Sequence, residues 1–221
     1  PNHEVMKLSR TGHTSWTLAQ VDFTDGPYLA QNSTTTTLQP ASASVATGVN
    51  ITASAITGIN GGTGFQTTDV GRIISFNSGK AKITARTNTT VVVATITTAF
   101  TNTNATAAFN LGAFSDTTGH PSSVSFFEQR LVFAGTTGEP QTLFFSKAGD
   151  YENMTTGTNA DDAMVYTIAS NQVNAIRYMK AVRTLVVGTT GGEFTVSADG
   201  TDASITPTNI TIKRQSSFGS A

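Results

Sequence analysis

Few residues in this chain could do chemistry: three histidines, two adjacent aspartates and one spaced acidic pair. His3, His13 and His120 offer ring nitrogens for metal ligation or base catalysis. None stands at an H-x-H or H-x-x-x-H spacing, so a metal site would need partners from distant strands. His13 and His120 lie in Thr11-Gly12-His13 and Gly119-His120-Pro121, where Gly and Pro favour turns, and both are read as turn residues. Asp161 and Asp162 could bind a cation or share acid–base work. Neighbours on a strand face opposite ways, however, so the pair is expected in a solvated loop or at a helix start. Asp150 and Glu152 would share a face on a strand, but Gly149 and Asn153 mark their stretch as a loop. Gly61-Gly62-Thr63-Gly64, Gly135-Thr136-Thr137-Gly138 and Gly188-Thr189-Thr190-Gly191 resemble phosphate loops only in glycine content. No G-x-x-x-x-G-K-[ST] run opens a helix, so hairpin turns are expected there. No G-x-S-x-G elbow occurs.

The aromatics Phe126, Phe127, Phe133, Phe144 and Phe145 are not interleaved with a basic stripe, so they are assigned to core packing rather than base stacking. The N-x-[ST] matches, such as Asn50-Ile51-Thr52 and Asn209-Ile210-Thr211, are read as chance in a threonine-rich chain and imply no glycosylation. The expectation is therefore no catalytic residue, no cofactor-binding residue, no metal ligand, and a protein that is not an enzyme.

What would position such residues is a set of short strands. Charged residues are 12% of the 221 and the net charge is −1, which gives no basic footprint for nucleic acid and no attraction to anionic membranes. Threonine makes up roughly a fifth of the chain, and its β-branching favours a pleated surface. Cysteine is absent, so disulfides and thiolate metal sites are excluded. No apolar run approaches a membrane span. The start at Pro1-Asn2-His3-Glu4 and the uncapped end at Phe218-Gly219-Ser220-Ala221 lead us to expect a piece of a longer protein.

Three regions are expected. Residues 1–44 hold β segments and a connector. In Trp16–Phe23 the residues Trp16, Leu18, Val21 and Phe23 point toward a core, and 31–44 is extended and polar. Residues 45–112 form an inserted small β domain, a barrel or sandwich, with strands near 49–53, 73–76, 80–85 and 91–96. Residues 113–221 carry an internal repeat. Ser123–Phe127 then Arg130–Gly138 is echoed by Ala175–Met179 then Thr184–Gly191, and each ends in a further strand, Thr142–Ser146 or Glu193–Ser197. Strand, turn, strand at a period of about 40–50 residues is the pattern of propeller blades, which must stack on neighbours to bury their faces. An ordinary sandwich is the competing reading. Helix is scarce, with single turns conceivable at 161–164 and 171–174. The fold class is all-β: a partial propeller with an inserted domain.

Four segments resemble a known family. They are His13-Thr14-Ser15-Trp16 to Gly26-Pro27-Tyr28; Gly119-His120-Pro121 to Phe127-Glu128-Gln129-Arg130-Leu131; Ser146-Lys147-Ala148-Gly149-Asp150-Tyr151-Glu152-Asn153; and Leu185-Val186-Val187-Gly188-Thr189-Thr190-Gly191-Gly192-Glu193-Phe194. Together they are similar to the tail nozzle group of tailed bacteriophages, also called tail tubular protein B or packaged-DNA stabilisation protein. The resemblance implies a structural virion protein of the phage tail, with a propeller platform and inserted β domains. It implies a homo-oligomeric ring, a hexamer, around a channel that retains DNA and passes it at ejection. Its expected partners are its own copies, adjacent tail or adaptor proteins and, transiently, genomic DNA, with no membrane. No catalytic residue carries over. The competing reading is a carbohydrate-binding or adhesive β module of a phage or bacterial surface protein. A glycan-cleaving enzyme would require two carboxylates about 5–10 Å apart in a cleft.

Overall fold

A computed structural model describes residues 3–169, 173–200 and 203–220. Asn171 and Gln172 of the turn expected at 171–174 lie outside them. The fold is all-β, and the helix among the described residues is two single 3₁₀ turns, Asn60–Gly62 and Thr67–Asp69. The chain divides into two compact units. One comprises residues 1–26 and 120–221, the other Pro27–Gly119.

The Pro27–Gly119 unit is one curled antiparallel sheet. Its strands are β3 (Leu38–Pro40), β4 (Ala46–Ala53), β5 (Ile73–Phe76), β6 (Gly79–Arg86), β7 (Val91–Thr98) and β8 (Phe109–Leu111), in the spatial order β3-β4-β7-β6-β5-β8. Segment 31–44, expected as a connector, thus supplies an edge strand. Period-two alternation drives the sheet: Ile51, Ile74, Ile83, Val92, Ala94 and Ile96 are enclosed on one side. Register shifts at Ala46/Val49, Lys80/Ala81 and Ile83/Ala85 bend the strands, as bulges do. Curling brings the edges together, because the chain leading into β8 pairs with β3 through Thr106 and Leu38. The result is a half-barrel.

The other unit contains a two-stranded ribbon and two four-stranded meanders. The ribbon is β1 (Met6–Arg10) with β2 (Trp16–Gln20). The first meander is β9 (Ser123–Phe127), β10 (Arg130–Ala134), β11 (Thr142–Phe145) and β12 (Met164–Thr167). The second is β13 (Ile176–Ala181), β14 (Leu185–Thr189), β15 (Gly192–Ser197) and β16 (Thr211–Ser216). The repeat read from sequence is therefore two meanders in chain order, each with a fourth strand that the repeat did not reveal. They share one core of Phe127, Val132, Leu143, Phe145 and Met164 against Met179, Leu185, Val187, Phe194 and Val196.

The register separates the two faces of each meander. Phe127, Val132, Leu143 and Met164 point to the shared core. Val124, Phe126, Leu131, Phe133, Phe144 and Val165 point the other way. The first meander is thus apolar on both faces. The outer face of the second carries Tyr178, Lys180, Glu193, Thr195 and Lys213, a polar surface of the kind that ends a stack.

The turns depart from the expected hairpins. Thr190-Gly191 is a two-residue turn between Thr189 and Gly192, but Gly188 sits within β14. Gly135 opens a longer loop into β11 instead. Gly61 and Gly62 take positive φ within the 3₁₀ turn Asn60–Gly62, and Gly64 does so just after it, rather than linking two strands directly.

Candidate functional site

The residues singled out for chemistry are dispersed, apart from His3 and Glu152, which line one groove. His3 and His13 are exposed, and Arg10 Nη2 lies 3.0 Å from His13 Nδ1 in the β1–β2 turn. His120 is buried. Among the described residues, no group of three or more His, Cys, Asp or Glu could hold a metal ion. Asp150 closes an exposed turn with Lys147, and Glu152 pairs with Lys7.

Asp161 and Asp162 lie in neither a helix nor a fully solvated loop. Asp162 is buried and accepts a hydrogen bond from the Asn159 N–H at 2.9 Å. Lys147 Nζ reaches Asp162 at 3.1 Å and Asp161 at 3.3 Å. The Asn159 amide and then Lys147 hold the Asp162 carboxyl below its usual value. Both aspartates raise the Lys147 ammonium in return. A carboxylate tied this way is a poor proton acceptor, and its cation-binding side is filled by the Lys147 ammonium.

The organiser of this loop is Arg130. It shares the inward parity of Val132 and Ala134, which is the sequence signal of a buried charge that the motif search missed. Its guanidinium donates to the carbonyls of Ser146 at 2.8 Å, Asp162 at 2.7 Å and Ala160 at 2.6 Å. Burial pushes Arg130 down from its ordinary value, opposed by Asp161, Glu128 and Asp162. The fork therefore clamps backbone, which one ammonium could not match. Next to it, Glu128 and Gln129 form the β9–β10 turn with positive φ at both. Glu128 Oε2 accepts the Ile205 N–H at 2.7 Å, and the Gln129 carbonyl accepts the Gly149 N–H at 2.8 Å. The Glu128-Gln129-Arg130 and Lys147–Asn153 segments that stood out in sequence are thus a scaffold for one loop cluster.

The half-barrel holds a second hidden charge. Arg72 and Asp69 form an ion pair with both side chains fully enclosed, at 2.9 Å. Burial pulls the Arg72 guanidinium down and Asp69 opposes it.

The feature best suited to recognition is apolar. A groove of about 470 Å³ runs between the ribbon and the outer face of the first meander, lined by Met6, Leu8, Val21, Val124, Phe126 and Tyr151 among others. Phe126 and Tyr151 meet edge to face at 5.2 Å. Cross-strand register puts Met6, Leu8, Leu18 and Trp16 on one ribbon face. Trp16 and Leu18, expected toward a core, are 57% and 65% exposed. The alternation was read correctly, but no described residue covers that face. Arg10 lies 5.8 Å over the Trp16 ring. The groove can bind apolar surface, and its lining also includes His3, Glu4, Lys7 and Glu152, the last two paired with each other.

No protein-family model and no curated protein matches this sequence.

Proposed function

We propose that this chain is a structural part of a phage tail, of the nozzle type. It would build a ring of copies around the DNA channel that retains the genome and then lets it pass. The observation that carries this reading is the pair of consecutive four-stranded meanders, the first apolar on both faces. A sheet with two apolar faces requires a layer on each side, as blades of a propeller do. The four segments that resemble the nozzle group supply the rest. Two of them contain the Arg130 clamp and the Lys147–Asn153 loop that it supports.

Low charge fits both halves of this role. Lateral packing between copies avoids desolvating dense charge. A channel wall without many cations also avoids gripping the duplex through its phosphates. The chain acts in this reading through packing and symmetry, without catalysis or cofactor. Electron microscopy of the full-length protein and of phage particles tests it. The expected result is a closed ring of copies, six in the nozzle reading, located at the tail. A protein that stays monomeric and never enters particles would refute it.

A second reading, a glycan-binding module, draws on the exposed Trp16, Phe126 and Tyr151. Sugar recognition also needs polar groups converging on the aromatic platform; Glu4, Ser122 and Ser123 line the groove beside Phe126 and Tyr151, but Trp16 does not. Glycan-array binding that is lost in Trp16→Ala would favour this reading over the first.

A further inference from the structure

The sequence contains one Asn-Gly step, Asn60-Gly61. Asparagine is among the chemically labile residues, and a following glycine has no Cβ to shield its N–H from the Asn side chain. In the reaction open to such a step, the Gly61 nitrogen attacks Asn60 Cγ and the bond from Cγ to Nδ2 breaks. Ammonia leaves with the proton that Gly61 gave up, and a cyclic imide remains. Water then opens the imide at either carbonyl, to aspartate or to isoaspartate. In the fold, the Asn60 side chain is held at both of its polar atoms. Nδ2 donates to Asp69 Oδ2 at 2.7 Å and to the Gly64 carbonyl at 3.0 Å. Oδ1 accepts from Arg72 Nη1 at 2.7 Å, and the Arg72 and Asp69 side chains are fully enclosed. The backbone is set as well, at φ 50° for Asn60 and 64° for Gly61, and the Asn60 carbonyl accepts from Thr63 Oγ1 at 2.9 Å.

We propose that Asn60 is a deamidation site locked by the Arg72–Asp69 pair, so that it reacts only when the loop around it opens and then marks that opening permanently. Ring closure makes Cγ tetrahedral and swings Nδ2 and Oδ1 out of the plane in which their partners bind. Within the closed fold that motion would strip a donor from Asp69 and an acceptor from Arg72, and buried groups left unpaired are costly. The products do not fit back. Aspartate at position 60 has no N–H to give, so its oxygen would face two acceptors, Asp69 Oδ2 and the Gly64 carbonyl. Two carboxylates would then crowd one enclosed guanidinium, and like charges at that range oppose each other. Isoaspartate inserts a methylene into the main chain inside the 3₁₀ turn Asn60–Gly62. A half-barrel that has opened and reacted therefore closes less firmly than before.

This site goes beyond the ring reading and does not depend on it. The test incubates the purified chain in mildly alkaline buffer, without urea and at a series of urea concentrations through the half-barrel transition. Mass spectrometry follows loss of the Asn60 amide, and labelling by an isoaspartate methyltransferase reports the second product. The expected result is an Asn60 that survives in the folded chain and is lost in proportion to the opened fraction. Asp69→Asn removes the counter-ion of the lock. It is expected to speed the loss under native conditions by at least ~100-fold, the equivalent of ~3 kcal/mol at ~1.4 kcal/mol per tenfold. Should that variant not fold, the urea series on the wild type decides alone. Equal rates of loss from the folded and the unfolded wild-type chain would overturn the proposal. So would an unfolded chain that keeps Asn60, or a folded Asp69→Asn chain that loses it no faster than wild type.

Discussion

Replacing Asp69 with Asn should cost the half-barrel several kcal/mol, although it removes no volume. The carboxylate is saturated. Its Oδ2 accepts from Asn60 Nδ2 at 2.7 Å and from the Gln66 N–H at 2.8 Å, and its Oδ1 accepts from Arg72 Nη1 at 2.9 Å. An amide must aim its NH₂ at one set of these donors. Arg72 would keep its bonds to the Asn60 side chain at 2.7 Å and the Gly112 carbonyl at 2.6 Å, but its charge would be enclosed without a counter-ion. Breaking a buried pair in this way costs ~3–5 kcal/mol, a large share of the ~5–15 kcal/mol that holds a domain together. With a urea slope near 2 kcal/mol/M, the midpoint of the half-barrel transition should fall by ~1.5–2.5 M at constant slope. The double variant Asp69→Leu/Arg72→Met removes both charges and should recover to within ~1–2 kcal/mol of wild type, giving a large coupling in the cycle. A single Asn variant within ~1 kcal/mol of wild type would refute the reasoning. It would mean that water reaches Arg72 despite its enclosure.

Three further outcomes are expected. Gln129→Gly should raise stability by ~0.5–1 kcal/mol in thermal unfolding, because Gln129 holds φ 59° in the β9–β10 turn where glycine has no steric penalty. Arg130→Lys should lower it by ~2–3 kcal/mol, since an ammonium cannot bond the Ser146, Asp162 and Ala160 carbonyls together. Faster proteolysis near Ala160 should accompany that loss. Stability of the same unit should also fall at both ends of the pH scale. Asp162 is lowered in the fold, so its contribution is full above its unfolded value and is lost as pH drops through the folded value. Lys147 is raised, so its contribution is full below its unfolded value and is lost as pH climbs through the folded one. Asp162→Asn should flatten the acid limb in urea titrations at pH 2–5, and an unaltered limb would count against the pairing.

Much of the strand plan was legible because alternation and turn residues agree locally. Ile73–Phe76 with Lys80–Ala85 around Asn77-Ser78, and Ser123–Phe127 with Arg130–Ala134, fall almost where the strands lie. Short edge strands were not legible. Leu38–Pro40 and Phe109–Leu111 become strands only by pairing at long range. Met164–Thr167 has weak alternation, and only its first residue falls in the single turn conceivable at 161–164. The buried charges left a readable trace, since Arg72 shares parity with Ile74 and Phe76, as Arg130 does with Val132. A search for catalytic motifs passes over such residues because their partners are backbone carbonyls and distant side chains. Leu143-Phe144-Phe145, apolar without alternation, already signalled a sheet covered on both faces. What covers the ribbon was beyond local pattern, because alternation reports which face is apolar and not what meets it.

The most direct test of the structural role is to image phage particles carrying a labelled copy of this protein, alongside mass photometry of the full-length protein. The account predicts a closed ring of copies at the tail, centred on the DNA path. A protein that is monomeric in solution and absent from every particle would contradict it.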